Sequence, residues 1–336
     1  MADILATEAP VRLHDERPSL QTAPVLEPAY APDAWPIAAA MLQFPGVAHD
    51  GRPIGELAPD EWRALLEPVP RAGYTALEVP SSWIRLADLE SSRRREFADV
   101  LASLGLSVPG LSVVRESVIH PVNAARNLDF SHRTIDAAAE LGVPLVCFGL
   151  HDKLLPRQQE VQWFWTVEGT QESPDPDVRE LAVRSYRELG QHAASLGLQI
   201  SLELYEDGYL GSADGAVRFL EDIDEPAVGL NPDLGNLIRQ QRPIDTWEYM
   251  VATTLPHANY WHVKNYSRLE NPEAGIVLTH PTPLELGIIN YRDAVRYAIA
   301  HGFSGAFVVE HYGGDGLSVG ATNEAYLRSI LPPQTV

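Results

Sequence analysis

The sequence predicts an α/β chain closed into a (β/α)8 barrel, the TIM-barrel architecture, preceded by a proline-rich N-terminal arm. Three observations predict it. Short apolar runs alternate with amphipathic helical stretches eight times, which implies a parallel sheet, and eight repeats imply closure. The length of 336 residues suits one barrel with insertions, a class that runs from about 200 to over 400 residues. No Gly-x-Gly-x-x-Gly follows the first apolar run, and a doubly wound open sheet, the next-best arrangement, would need fewer repeats.

Taken in order, residues 1–35 carry Pro10, Pro18, Pro24, Pro28 and Pro32, with Pro36 just beyond, and show no helical or strand periodicity. They read as an extended arm, and residues 36–336 as the barrel. The first strand is Ile37–Phe44, and the first helix opens at Asp60, which is placed to cap it, and runs to Leu66. The second strand, Tyr74–Val79, precedes a helix from Ser91 to Leu104. The third strand, Val108–Val113, precedes a helix from Asp129 to Leu141 that Gly142 stops. The fourth strand is Val143–Leu150, followed by a long helix, Asp175–Leu196. The fifth strand is Gln199–Leu204 with helix Asp214–Ile223, and the sixth is Val228–Leu230 with a helix over about Ile244–Thr254. The seventh is Asn259–Val263 with helix Tyr291–Ala300, and the eighth is Gly305–Val309 with helix Asn323–Leu331. Two connections on the C-terminal side are long, His151 to about Pro174 and Asn265 to about Ile289. Long loops in compact domains are usually functional or disordered.

Composition removes several function classes. The formal charge of -21 disfavours nucleic acid, whose binding rests on Lys and Arg neutralising phosphates, and weighs mildly against a highly anionic substrate. The first ten residues have no basic segment and no long apolar run, so no signal peptide is expected, and no membrane span is expected either. Cys147 is the single cysteine. It sits in an apolar run and reads as a small core residue. One thiol excludes an internal disulfide framework and fits a reducing, cytoplasmic setting.

The chemistry gathers at strand ends. Gln199-Ile-Ser-Leu-Glu-Leu-Tyr-Glu206 carries Glu203, Val228-Gly-Leu-Asn-Pro-Asp233 ends in Asp233, Asn259-Tyr-Trp-His-Val263 carries His262, and Gly305-Ala-Phe-Val-Val-Glu310 ends in Glu310. The first three are about 30 residues apart, one strand-plus-helix unit. A barrel presents such residues at its C-terminal face. Carboxylates and imidazole without thiolate suit Mn²⁺, Mg²⁺, Co²⁺ or Zn²⁺ rather than a cysteine-type structural zinc site.

With Glu, Asp, His and Glu ending strands five to eight, residues 37–332 resemble the xylose-isomerase-like barrels, the sugar phosphate isomerases and epimerases. The resemblance implies that Glu203, Asp233, His262 and Glu310 ligate a divalent metal, Mn²⁺ first. It further implies that Glu203 and Glu310 form the acid/base pair. The Asp233-Leu-Gly-Asn236 run resembles that group's Asp-x-x-His, with Asn236 in place of histidine, so Asn236 becomes a candidate substrate contact. The common step in such sites is removal of a proton beside a polarised carbonyl, giving an enediolate.

His151 follows the fourth strand directly and is a candidate base, because imidazole titrates near neutral pH. Tyr205, Glu206, Lys264, Asn265, Arg268, His280 and His311 lie near strand ends or in the long loops and are candidate contacts to substrate hydroxyls. Gln162-Trp-Phe-Trp-Thr166 places three aromatics in a loop, and Trp163 and Trp165 are candidates to stack on a flat ligand. The acidic, glycine-rich Tyr312-Gly-Gly-Asp-Gly316 reads as a turn rather than a phosphate site, since Asp315 would repel an anion.

More narrowly, the proline-rich arm, the Gly-Leu-His-Asp-Lys segment, the aromatic loop and Tyr260-Trp-His-Val-Lys-Asn265 look like the α subunit of bacterial C-glycoside deglycosidases. That resemblance implies a metal-dependent carbon–carbon lyase that cleaves the sugar-to-aglycone bond of 3-keto C-glycosides by enolisation and β-elimination. It also implies a small β subunit or homo-oligomer as partner. The alternative is a sugar or sugar phosphate isomerase or epimerase acting on a ketose through a metal-bound enediolate.

Overall fold

The protein is described by a computed structural model covering residue 20 and residues 27–206 and 208–334. Ten strands are present among these residues: β1 Ile37–Ala40, β2 Leu77–Pro80, β3 Leu111–Ser112, β4 Leu145–Phe148, β5 Gln199–Glu203, β6 Val228–Asn231, β7 Trp261–Val263, β8 Asn265–Asn271, β9 Ile276–Thr282 and β10 Phe307–Val309. The α-helices are α1 Pro59–Leu66, α2 Pro68–Arg71, α3 Ser91–Ser103, α4 Ala124–Leu141, α5 Pro156–Gln159, α6 Pro176–Ser195, α7 Ala213–Ile223, α8 Leu234–Ile238, α9 Trp247–Thr254, α10 Tyr291–Ala300 and α11 Gly316–Ile330.

Eight parallel strands run in the order β6-β5-β4-β3-β2-β1-β10-β7, with helices outside, a (β/α)8 TIM barrel. The ring closes between β6 and β7 through one bridge, Leu230 to Ala258, and through the Asn231 side chain, whose Oδ1 accepts from the His262 backbone N–H at 2.7 Å. Strands β1, β2, β4, β6, β7 and β10 are buried along their whole length. That is the pattern of strands covered by helices outside and packed side chains inside. Cys147 lies in this interior as a free, buried thiol.

Most of the expected arm lies outside the described residues. Its last part packs on the barrel: Trp35 is buried, donates from Nε1 to Gly305 O at 3.0 Å, and sits against Phe303 and Phe307.

Local capping explains where helix boundaries differ from expectation. The first helix starts at Pro59, and Asp60 does not cap it. Glu61 does, accepting from the Ala58 N–H at 2.8 Å. Asp175 caps α6 by accepting from Asp177 N at 2.9 Å. The last helix begins at Gly316, seven residues before its expected start, because Asp315 accepts from Ser318 N at 3.1 Å. The acidic turn after β10 is therefore a helix cap. The largest difference is the expected loop 265–289, which folds as an antiparallel hairpin of β8 and β9. Gly275, at φ 62°, supplies the left-handed residue of its turn. No helix among the described residues is long and apolar enough to cross a membrane.

Candidate metal centre

At the C-terminal end of the barrel, Glu203, Asp233, His262 and Glu310 each offer one ligand atom, and these atoms lie within 4.8 Å of one another. Each comes from a separate element. Glu203 ends β5, Asp233 caps α8 just beyond β6, His262 is central in β7, and Glu310 follows β10. An octahedral ion with bonds of about 2.1 Å holds its ligand atoms about 3 to 4.2 Å apart, so a cluster within 4.8 Å is of the scale of a divalent cation and would contract slightly around a small one.

The histidine shows how the site is prepared. His262 Nε2 lies 2.8 Å from Glu78 Oε1, and the other Glu78 oxygen accepts from Ser112 Oγ at 3.2 Å. A carboxylate can only accept, so Nε2 carries the hydrogen and Nδ1 keeps its lone pair. That Nδ1 is buried and stands 3.1 Å from Glu310 Oε1 and 3.9 Å from Glu203 Oε1. A lone pair aimed at two carboxylates is unfavourable unless a proton or a metal cation lies among them. The Glu78–His262 pair has the form in which an outer carboxylate fixes the tautomer of a metal-ligating histidine. The donor set therefore fits a divalent metal. Glu78→Gln is expected to weaken metal binding about 10–100-fold with all four ligands intact, checked by competitive chelator titration. Unchanged affinity would reduce Glu78 to a packing role.

Charge balance inside the cluster is uneven. Lys264 Nζ lies 2.6 Å from Asp233 Oδ2 and also pairs with Glu310 Oε2. Burial would raise the Glu310 carboxyl, but Lys264 and His262 hold it well below its usual range. Burial pushes the Glu203 carboxyl up to about 8, with Glu310 and Asp233 adding to the effect. Burial would lower the His262 imidazole, yet Glu78 and Glu310 hold it well above its ordinary value. The stem of Lys264 reaches the cluster past Gly235, where an added Cβ would lie 2.4 Å from Lys264 Cγ.

The remaining expected contacts divide. Asn236 is fully buried, and its amide donates to Glu203 Oε1 at 3.0 Å and to Leu204 O at 2.9 Å. It holds a ligand in place instead of reaching for substrate. Arg268 donates to the carbonyls of Ile238, Gln240 and Arg242 at 2.5–2.6 Å. It ties the hairpin to the end of α8, and its guanidinium is taken up by these carbonyls and by Glu270. Asn265 likewise bonds Leu284 O and Ile289 O. His280 Nδ1 is paired with Pro281 O, and His311 is half-buried.

His151 is buried and stacks on Tyr205 at 4.6 Å between ring centroids. Burial, then Arg115 and Arg239, lowers its pKa to about 3. It is thus a neutral, weakly basic ring, not the near-neutral base expected. Tyr205 accepts from Arg115 Nη2 at 2.8 Å. Both rings line a cavity of about 350 Å³, together with Ile119, Pro121, Leu150 and Tyr209.

Neither Trp163 nor Trp165 lines that cavity. Trp165 is buried, donates from Nε1 to Thr279 Oγ1 at 3.2 Å, and packs on Tyr266 and Tyr312, while Trp163 stacks on Trp165 at 4.9 Å. The aromatic loop is packed down because it covers a buried cation, Arg239. That guanidinium is fully buried, binds Glu206 through Nε at 3.0 Å and Nη2 at 3.1 Å, and lies 4.8–5.5 Å from the rings of Phe164, Trp165, Tyr205 and Tyr312. Glu206, expected at the substrate, is the counter-ion of this arginine.

The family model described as xylose isomerase-like TIM barrel matches residues 66–330. A xylose isomerase-like TIM barrel protein from Mycobacterium smegmatis, solved in complex with magnesium, is 43% identical over 90% of this chain and 98% of its own, with a TM-score of 0.86. A D-psicose 3-epimerase from Clostridium cellulolyticum H10, solved with D-tagatose, is 15% identical, with 88% and 99% coverage and a TM-score of 0.60. A 3-keto-D-glucoside 4-epimerase from E. coli is 16% identical, with 88% and 99% coverage and a TM-score of 0.59. At that identity the two epimerases share the fold. No curated protein matches the chain.

Proposed function

We propose that this chain, which belongs to the xylose isomerase-like TIM barrel family, is a divalent-metal-dependent isomerase or epimerase acting on a ketose or keto sugar. The observation that carries the reading is the four-ligand cluster at the barrel mouth with His262 oriented by Glu78. Magnesium in the 43%-identical relative supports a hard divalent ion here, and both Mg²⁺ and Mn²⁺ suit the oxygen-rich donor set. A bound cation would polarise a substrate carbonyl and stabilise the negative charge that develops as the neighbouring carbon loses its proton.

The side chains do the rest. Glu203 is the more accessible of the two glutamates, at 13% of its side chain against 3% for Glu310. It is therefore assigned to one of the two proton transfers at the substrate's α carbon, with Glu310 across the cluster as the other member of the pair. Lys264 keeps Glu310 charged and holds both Glu310 and Asp233 in place. His151 and Tyr205 form a wall against which the sugar is oriented.

A second reading has one observation in its favour. The cavity of about 350 Å³ beside His151 and Tyr205 offers room beyond the sugar-reacting centre, as a keto glycoside carrying an aromatic aglycone would need. On that reading the same proton removal is followed by loss of the aglycone carbon, and a small second subunit takes part.

One experiment separates the readings. The Mg²⁺- and Mn²⁺-loaded protein is incubated in D₂O with free ketoses and with 3-keto glycosides, including a 3-keto C-glycoside. The expected result is deuterium at the carbon beside the carbonyl together with an isomeric sugar. Release of free aglycone would replace the isomerase assignment with the lyase. No exchange with any of these sugars would remove both.

A further inference from the structure

Away from the barrel mouth, α4 and α6 lie side by side and bring two histidines together. His132 Nδ1 and His192 Nδ1 are 2.8 Å apart. His132 Nε2 is 2.9 Å from Glu188 Oε1, and His192 Nε2 is 3.0 Å from Asp136 Oδ1. The ring centroids are 4.9 Å apart and the planes are inclined by 41°, so the rings meet nitrogen to nitrogen and do not stack.

Proton arithmetic constrains what joins them. Each carboxylate accepts, so each Nε2 carries a hydrogen. That leaves two Nδ1 lone pairs directed at one another, which repel unless a cation lies between them. One proton could serve. A transition-metal ion serves better on charge: with neutral rings the four side chains carry two negative charges, which one proton halves and a divalent ion cancels. Geometry agrees. Zinc–nitrogen bonds of 2.0–2.1 Å at the tetrahedral angle set two nitrogens about 3.3 Å apart, a widening of about half an ångström from the present contact. The two histidine side chains are a quarter exposed, so water can complete the coordination. The outer carboxylates already stand where they orient metal-bound imidazoles, as Glu78 does for His262. The cationic neighbour Arg133 is itself paired with Asp88 and Asp129, so it adds no uncompensated positive charge.

We propose that His132 and His192 form a second metal site, taking a borderline divalent ion of the Zn²⁺ type through their Nδ1 atoms and tying α4 to α6. The site is separate from the barrel cluster and does not depend on the function assigned to it.

The test titrates the full chain with Zn²⁺ and counts the ions bound by calorimetry. The unsubstituted protein is expected to bind two per chain. His132→Gln and, made separately, His192→Gln are each expected to bind one, and Asp233→Asn is expected to keep the surface ion. Zn²⁺ should raise the thermal midpoint of Asp233→Asn, and this shift should vanish when His192→Gln is added. If both histidine variants bind as many ions as the parent, or if Asp233→Asn binds none, the contact is a shared proton and the proposal is overturned.

Discussion

Glu203→Gln is expected to lower turnover by about 10³-fold or more while leaving the fold intact, since loss of a positioned proton-transfer group alone is worth about 10²–10⁴-fold. The amide matches the carboxylate in size, and its oxygen can still accept from Asn236 Nδ2, now 3.0 Å from Glu203 Oε1. The change therefore removes charge and basicity without opening a hole. It also takes one negative ligand from the cluster, so bound metal should fall. Solvent-deuterium incorporation follows the chemical step, elemental analysis follows the ion, and circular dichroism follows the fold. A variant that exchanges deuterium within tenfold of the parent would remove Glu203 from proton transfer and leave Glu310 as the remaining candidate.

Arg239→Met is expected to cost about 3–5 kcal/mol of stability, the usual penalty for leaving one member of a buried ion pair alone. Arg239 is fully buried and its partner Glu206 nearly so. Without the guanidinium, the Glu206 carboxylate stays buried beside aromatic rings with no cation paired to it. Methionine fills the volume between the rings, so the loss should report charge and not a cavity. Adding Glu206→Met should recover most of it, because two apolar side chains can replace a buried pair of similar size. Urea unfolding of the two variants decides the matter. A single-variant loss below about 1 kcal/mol, the scale of an exposed ion pair, would mean that the pair does not hold these loops together.

The candidate cluster was legible because each member ends or sits within a short apolar run, where one polar residue stands out against its neighbours. The barrel was legible for a related reason, since strand and helix periods alternate eight times. What the sequence did not disclose depends on contacts between distant segments. Glu78 sits inside an apolar strand, and its role needs His262, which is 184 residues away. Arg239 follows the short α8, and the groups that surround it come from the loops after β4, β5 and β10 and from β8. The packing of the two tryptophans is hidden in the sequence because their partners are those same distant groups. The hairpin 265–282 reads as loop in sequence because β8 is largely polar and the apolar Ile276 and Leu278 of β9 are exposed, so neither strand shows a buried apolar face.

The joint between β6 and β7 gives the barrel a directional weakness. It is a hoop with a clasp: seven of the eight junctions are made by laddered strands, and the last by one bridge and one carboxamide. Asp233 stands just past one side of the clasp and His262 on the other, so an ion held by both would span the gap. The side chains that set the chemistry would then also set how tightly the hoop is fastened. Selection on either property would constrain the other.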